Sequence, residues 1–125
     1  MNSRDVVLAF IDAWNRVDME GVYALMAPDI VYHNIPMPPA TGLDAAKAVI
    51  ASFPPFNACE WIVHHIAEAG NVVLTERTDR FRIGDTWIAL PVMGTFEVKD
   101  GRIKAWRDYF DLQQFMSQIP APPAA

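Results

Sequence analysis

Near residue 57 the hydrophobic period of this chain changes from three-to-four to two, and that switch constrains the fold more than any other feature. Ahead of it, Val6, Val7, Phe10, Trp14 and Val17 recur at helical spacing, while Asp5, Asp12, Asn15 and Arg16 fall mostly on the other side. The spacing predicts an amphipathic helix capped by Asn2 or Ser3. Asp18 is positioned to cap a shorter helix holding Val22, Leu25 and Met26, which Pro28-Asp29 would end before an extended stretch over 30–34. Ile35-Pro36-Met37-Pro38-Pro39 is a stiff loop that cannot continue a ladder, and the Ala-rich segment 43–53 is a third helix stopped by Pro54-Pro55.

Past the switch, alternation predicts strands over 59–67, 71–83, 86–98 and 102–110. Helices first and antiparallel strands afterwards make an α+β fold. Lys99-Asp100-Gly101 reads as a three-residue hairpin loop with Gly101 in the left-handed bulge position. That loop pairs Leu90, Val92, Gly94 and Phe96 with Phe110, Asp108, Trp106 and Lys104. A two-residue loop would set Asp108 against Met93 instead. The first register is preferred because it gathers Leu90, Val92, Phe96, Trp106 and Phe110 on one face.

With 125 residues the chain is the size of one domain, assigned here to 3–118, with a Pro/Ala-rich tail over 119–125 expected to fray. Hydrophobic residues make up 52% of it and charged ones 20%, against roughly 45–50% and 25% in an average globular chain. The surplus apolar surface needs a pocket or a subunit interface. A formal charge of −5 argues against nucleic acid as a partner, since the positive footprint of a phosphate-backbone binder is missing. The single cysteine, Cys59, leaves no intrachain disulfide, and no Cys/His cluster has zinc-ligand spacing. No apolar run is long enough to span a membrane and the N-terminus shows no leader pattern, so a soluble cytoplasmic protein is expected.

Strand 71–83 places Val73, Thr75, Arg77, Asp79, Phe81 and Ile83 on one side, so Arg77 and Asp79 interrupt an apolar face. Asp108 does the same between Trp106 and Phe110. Buried charges cost several kcal/mol each unless paired, and an Asp–Arg–Asp arrangement pairs them. Strand charges are more often a structural ion pair or part of a solvated face, but the same irregularity on two strands that could share a cavity favours chemistry. Tyr32 and Asn34 alternate on the stretch before the proline loop and offer a hydroxyl and an amide to one water molecule. His64 and His65, adjacent on a strand, should point to opposite faces, and with His33 they are read as structural or surface residues. There is no G-x-S-x-G elbow, P-loop or G-x-G-x-x-G run, and Cys59 has no cationic neighbour in sequence. Two carboxylates, an arginine, a phenol and an amide remain, a set suited to general acid–base catalysis.

Tyr32-His33-Asn34-Ile35-Pro36-Met37-Pro38-Pro39, Thr75-Glu76-Arg77-Thr78-Asp79 and Trp106-Arg107-Asp108-Tyr109-Phe110-Asp111 resemble, in order and approximate spacing, three motifs of the limonene-1,2-epoxide hydrolases. The similarity runs from the first helix to about residue 118. W-R-D-Y-F alone is common among cone-shaped folds, and Y-x-N-x-P-x-P-P together with E-R-x-D makes the match specific. The resemblance implies a nuclear-transport-factor-like fold: a strongly curved mixed, mostly antiparallel sheet whose N-terminal helices close a conical pocket, in a homodimer formed through the sheet. It also implies one-step hydrolysis of a small or medium apolar epoxide, terpene-like or cyclic, without cofactor or metal. Asp108 would be the general base, Tyr32 and Asn34 would hold the water, Asp79 would be the general acid, and Arg77 would orient both carboxylates. Phe81, Leu90, Val92, Trp106 and Phe110 would line the substrate wall. Two alternatives stay open: an isomerase or cyclase of the same cone shape acting on a steroid- or polyketide-like ligand, and a non-catalytic small-molecule binding module.

Overall fold

The computed structural model describes residues 2–120, so Met1 and most of the predicted tail lie outside the described residues. Helix α1 (Ser3–Asn15) begins where Asn2 accepts a hydrogen bond from the Asp5 amide, and buries Val6, Val7, Phe10, Ile11, Ala13 and Trp14 on one face. Helix α2 (Met19–Ala24) is capped by Asp18, which accepts from Gly21 N–H at 3.0 Å. Strands β1 (Met26–Asn34) and β2 (Ala40–Thr41), helix α3 (Leu43–Ala51), strands β3 (Ala58–Ala69), β4 (Val72–Ile83), β5 (Thr86–Lys99) and β6 (Arg102–Tyr109), and helix α4 (Leu112–Met116) follow.

The six strands form one sheet in the order β2-β1-β6-β5-β4-β3. β1 runs parallel to β6 and the other neighbours are antiparallel. The α+β class and the mixed, mostly antiparallel sheet therefore stand as expected. α1 covers the inner face, where Phe10 meets Trp106 edge-on at 5.0 Å and Trp14 stacks on Trp61 at 5.0 Å. Full burial of such side chains stabilises by about 1.5–3 kcal/mol each, so the aromatic cluster anchors helix to sheet.

Several local expectations are corrected. Leu25 is the C-cap of α2 and Met26 already belongs to β1, so the strand starts ahead of Pro28. It can do so because the β1–β6 register breaks between Met26 and Val31, where a missing N–H interrupts no regular ladder. α3 stops at Ala51 with Ser52 as its C-cap, short of the predicted 53. α4 was not anticipated.

The β5–β6 hairpin differs from both sequence registers. Lys99 pairs with Arg102, leaving Asp100-Gly101 as a two-residue loop with φ +52° and +76°, the left-handed pair that a tight hairpin turn requires. Glu97 then pairs with Ala105 and Val98 with Ile103, so Lys104 is an extra residue on β6. Turn and bulge together set Phe96 opposite Trp106 and Gly94 opposite Asp108. The partners of Gly94 and Phe96 are thus displaced by two from those expected, and the ladder ends at Met93–Tyr109, so Leu90 and Val92 pair with neither Phe110 nor Asp108. A shift of two preserves side-chain parity, which is why the inner-face assignments survive. On β3, His64 is likewise unpaired between Val63–Arg77 and His65–Glu76. This bulge turns both histidines onto the outer face, contrary to the opposite-face expectation: His64 Nε2 lies 2.8 Å from Thr78 Oγ1 and His65 Nδ1 lies 2.7 Å from Glu76 Oε1.

Candidate active site

Inner-face alternation on β4 buries Thr75, Arg77 and Asp79 in succession, and register carries the rest of the constellation to them. Gly94 of β5 stands between Thr75 and Asp108, and Asn34 of β1 is the direct neighbour of Asp108 across the parallel ladder. Arg77 has a side chain with no solvent exposure. Its Nε and Nη2 donate to the two oxygens of Asp79, each at 2.9 Å, and Nη2 also donates to Asp108 Oδ2 at 3.0 Å. Nη1 donates to Thr75 Oγ1 at 3.0 Å. One guanidinium thereby fixes two carboxylates, and its planar fork holds them at a set separation.

Arg77 is also held from above. Its Cζ sits 4.5 Å from the Trp61 ring, which in turn stacks with Trp14. From below, Gly94 makes room. A Cβ on Gly94 would fall 2.7 Å from Asp108 Oδ1 and 3.0 Å from Thr75 Oγ1, and would run into Arg77 Nη1. Trp61, Thr75 and Gly94 are site residues that sequence reasoning did not single out. An interior strand glycine is the one available signal among them, because it marks a close approach.

Tyr32 and Asn34 also come together: Asn34 Nδ2 donates to Tyr32 Oη at 2.9 Å, leaving the phenolic O–H as a donor to something else. The Tyr32 ring stacks on Trp106 at 4.1 Å, which fixes where the hydroxyl points. Asp108 Oδ1 is buried and accepts no hydrogen bond from the protein, so its lone pairs stay available.

Burial pushes the Asp79 carboxyl up to about 6. The charge and hydrogen bonds of Arg77 oppose the rise, and the neighbouring Asp108 charge adds to it. Burial, and then the Asp108 charge, raise the Tyr32 hydroxyl well above its ordinary range, so it remains protonated. For Arg77, burial works against the charge but the two carboxylates outweigh it, and the guanidinium stays charged. Among the described residues no group of three or more His, Cys, Asp or Glu is arranged to hold a metal.

These groups lie at the floor of a pocket. The centre of a water molecule can range over about 60 Å³ in it, several times the roughly 10–15 Å³ that one water needs. Asp79, Asp108, Tyr32 and Asn34 reach the pocket, whereas Arg77 lies behind them. Phe81, Leu90, Val92, Trp106 and Phe110 all line its wall, together with Met37, Phe53, Phe56 and Phe115, which the sequence reading had not included. The arrangement is two buried carboxyl groups on one arginine and a fixed hydroxyl against an apolar wall.

The chain is similar along most of its length to known proteins. The limonene-1,2-epoxide hydrolase catalytic domain matches residues 1–121. Epoxide hydrolase EphG of Mycobacterium tuberculosis is 38% identical over 106 residues, covering 85% of this chain and 71% of the relative. The structure of an M. tuberculosis epoxide hydrolase of the same type superposes with a TM-score of 0.81 at 34% identity, over 93% of this chain and 87% of that one. An NTF2-like protein of unknown function from Burkholderia pseudomallei superposes with a TM-score of 0.83 over 97% of this chain and 99% of that one. At 22% identity, that likeness speaks for the fold alone. The chain belongs to the limonene-1,2-epoxide hydrolase family and is an enzyme of that class, an epoxide hydrolase.

Proposed function

We propose that the protein adds water to a small or medium apolar epoxide, terpene-like or cyclic, and releases a vicinal diol in one step without a cofactor. The observation that carries this reading is the pair of carboxylates on one buried arginine at the floor of an apolar pocket, with the Asp79 carboxyl pushed up to about 6. Asp108 takes a proton from a water held by Tyr32 and Asn34. The water oxygen forms a bond to one epoxide carbon as that carbon's bond to the ring oxygen breaks, and Asp79 gives its proton to the departing oxygen. Asp108 ends the cycle protonated and Asp79 ionised, so a proton must pass back before the next turnover. Arg77, fully enclosed, touches no substrate and acts by orienting both carboxylates. An isomerase or cyclase needs one proton-moving carboxylate and would leave the shared arginine and the Tyr32–Asn34 pair without a task.

A homodimer formed through the sheet belongs to the same reading and is supported by the outer face, where Leu74, Met93 and Tyr109 are exposed. A cytoplasmic location is part of it too, in keeping with the free thiol of Cys59. Among the described residues no helix is long and apolar enough to cross a membrane. A single turnover in ¹⁸O-labelled water tests the chemistry: the label is expected in the diol and in neither Asp79 nor Asp108. Label in either carboxylate would replace the one-step mechanism with an ester intermediate. Failure to turn over any small or medium apolar epoxide would overturn the proposed substrate class.

A further inference from the structure

We propose that Gln118 is a positioning residue that fixes the C-terminal wall of the pocket and thereby sets how well a bulky epoxide is held; the substrate half of this inference rests on the hydrolase reading above. β6 ends at Tyr109 opposite Met93, so β5 continues past it toward Ala89 without that neighbour. The Gln118 side chain takes the vacated place. Its Oε1 accepts from Ala89 N–H at 3.0 Å and its Nε2 donates to the Ala89 carbonyl at 2.8 Å. A primary amide presents a donor and an acceptor much as a peptide group does, so Gln118 supplies the pair of bonds that one more strand residue would have made. The remaining Nε2 hydrogen donates to the Gln114 carbonyl at 2.9 Å and ties the amide to the end of α4.

α4 depends on this tie. It has five residues, far below the roughly 12–15 at which a helix begins to hold itself in water. None of its residues is buried. Among the described residues, the Gln118–Ala89 pair provides the hydrogen bonds between the segment after Phe110 and the sheet. Phe115 of α4 nevertheless reaches the pocket, where it meets Phe110 edge-on at 6.3 Å. Leu90, the residue after Ala89, faces the same pocket. The amide thus fastens an aromatic wall to the strand that carries the opposing aliphatic one.

Two variants of similar length test this. Gln118→Leu removes all three hydrogen bonds, and Gln118→Glu keeps the volume and an acceptor but loses the N–H donors. Amide hydrogen exchange reports the clamp directly: in Gln118→Leu the Ala89 amide should exchange at least about tenfold faster while the Arg77 and Val92 amides keep their protection, and Gln118→Glu, which keeps the acceptor for that amide, should fall between the parent and Gln118→Leu. Kinetics report the wall. A ten-carbon cyclic terpene epoxide, long enough to reach Phe115, should show KM raised by about tenfold with kcat within about twofold, the scale of one lost apolar contact. 1,2-Epoxypropane, too short to reach it, should keep both constants.

Unchanged exchange at Ala89 would overturn the clamp, even with hydrolysis intact. Faster exchange with equal losses on both epoxides would make Gln118 merely structural and overturn the specificity role, as would faster exchange with no kinetic change. If the parent protein turned over neither epoxide, the proposed substrate class would fall. The clamp would still be judged by Ala89 exchange and by a tenfold weaker affinity of the variants for the ten-carbon diol, read from the fluorescence of the pocket tryptophans.

Discussion

Asp79 and Asp108 are the same residue type on one arginine, and the proposed reaction requires them to start in opposite protonation states. Asp108→Asn keeps the shape but cannot accept a proton, so turnover should fall about 10²–10⁴-fold, with the urea midpoint showing that the fold persists. Asp79→Asn should lose a similar factor on unactivated epoxides. The raised Asp79 carboxyl has a pH signature whose sign is fixed. Because it binds its proton more tightly folded than unfolded, its contribution is fully present below the unfolded value near 3.9 and is lost as pH rises through about 6. Urea unfolding across that window should show a downward slope that flattens in Asp79→Asn, and activity should decline as pH rises above about 6 and Asp79 loses its proton. Gly94→Ala is a sharper probe of geometry. Its methyl would displace Asp108 and Arg77, so activity should drop at least about 100-fold while stability falls by about 1–3 kcal/mol, as for other overpacked sites. The charged residues were legible because alternation exposes a charge on an apolar face. Gly94 was not, because its importance lies wholly in which residue it opposes, and that register was misjudged by two.

At the scale of elements, legibility followed the strength of the local signal. α1 carries a capping asparagine and an unbroken apolar stripe, and the long strands alternate cleanly; both were read from spacing alone. The bulges at His64 and Lys104 left no mark, since an extra strand residue differs in nothing but its pairing. α4 was missed because five residues are too few to show a period, and its position is set by a distant amide. Where a local signal was read, its energetic weight can be checked. Asp18→Ala removes the hydrogen bond to Gly21 N–H at the start of α2 and should cost about 1 kcal/mol in urea unfolding, leaving kcat unchanged because α2 stands outside the pocket.

Taken whole, the molecule commits one side of its sheet to helices and pocket and leaves the other with exposed Leu74, Met93 and Tyr109. If that face is the dimer contact, Met93→Asp should shift the light-scattering mass from two chains toward one, since a charge buried without a partner costs several kcal/mol. A mass unchanged by the substitution would remove the sheet face from consideration. A dimer through the sheet is an expectation that the family resemblance supplies, whereas composition showed only that apolar surface was in surplus. Strict alternation also means that the sheet is a single backbone thick. Tyr109 is bonded in sequence to Asp108, and Met93 to Gly94, with the two members of each pair on opposite sides. Anything resting against the outside is therefore the next-door neighbour of the proposed base, and a change made there to alter assembly can nudge the pocket through the panel.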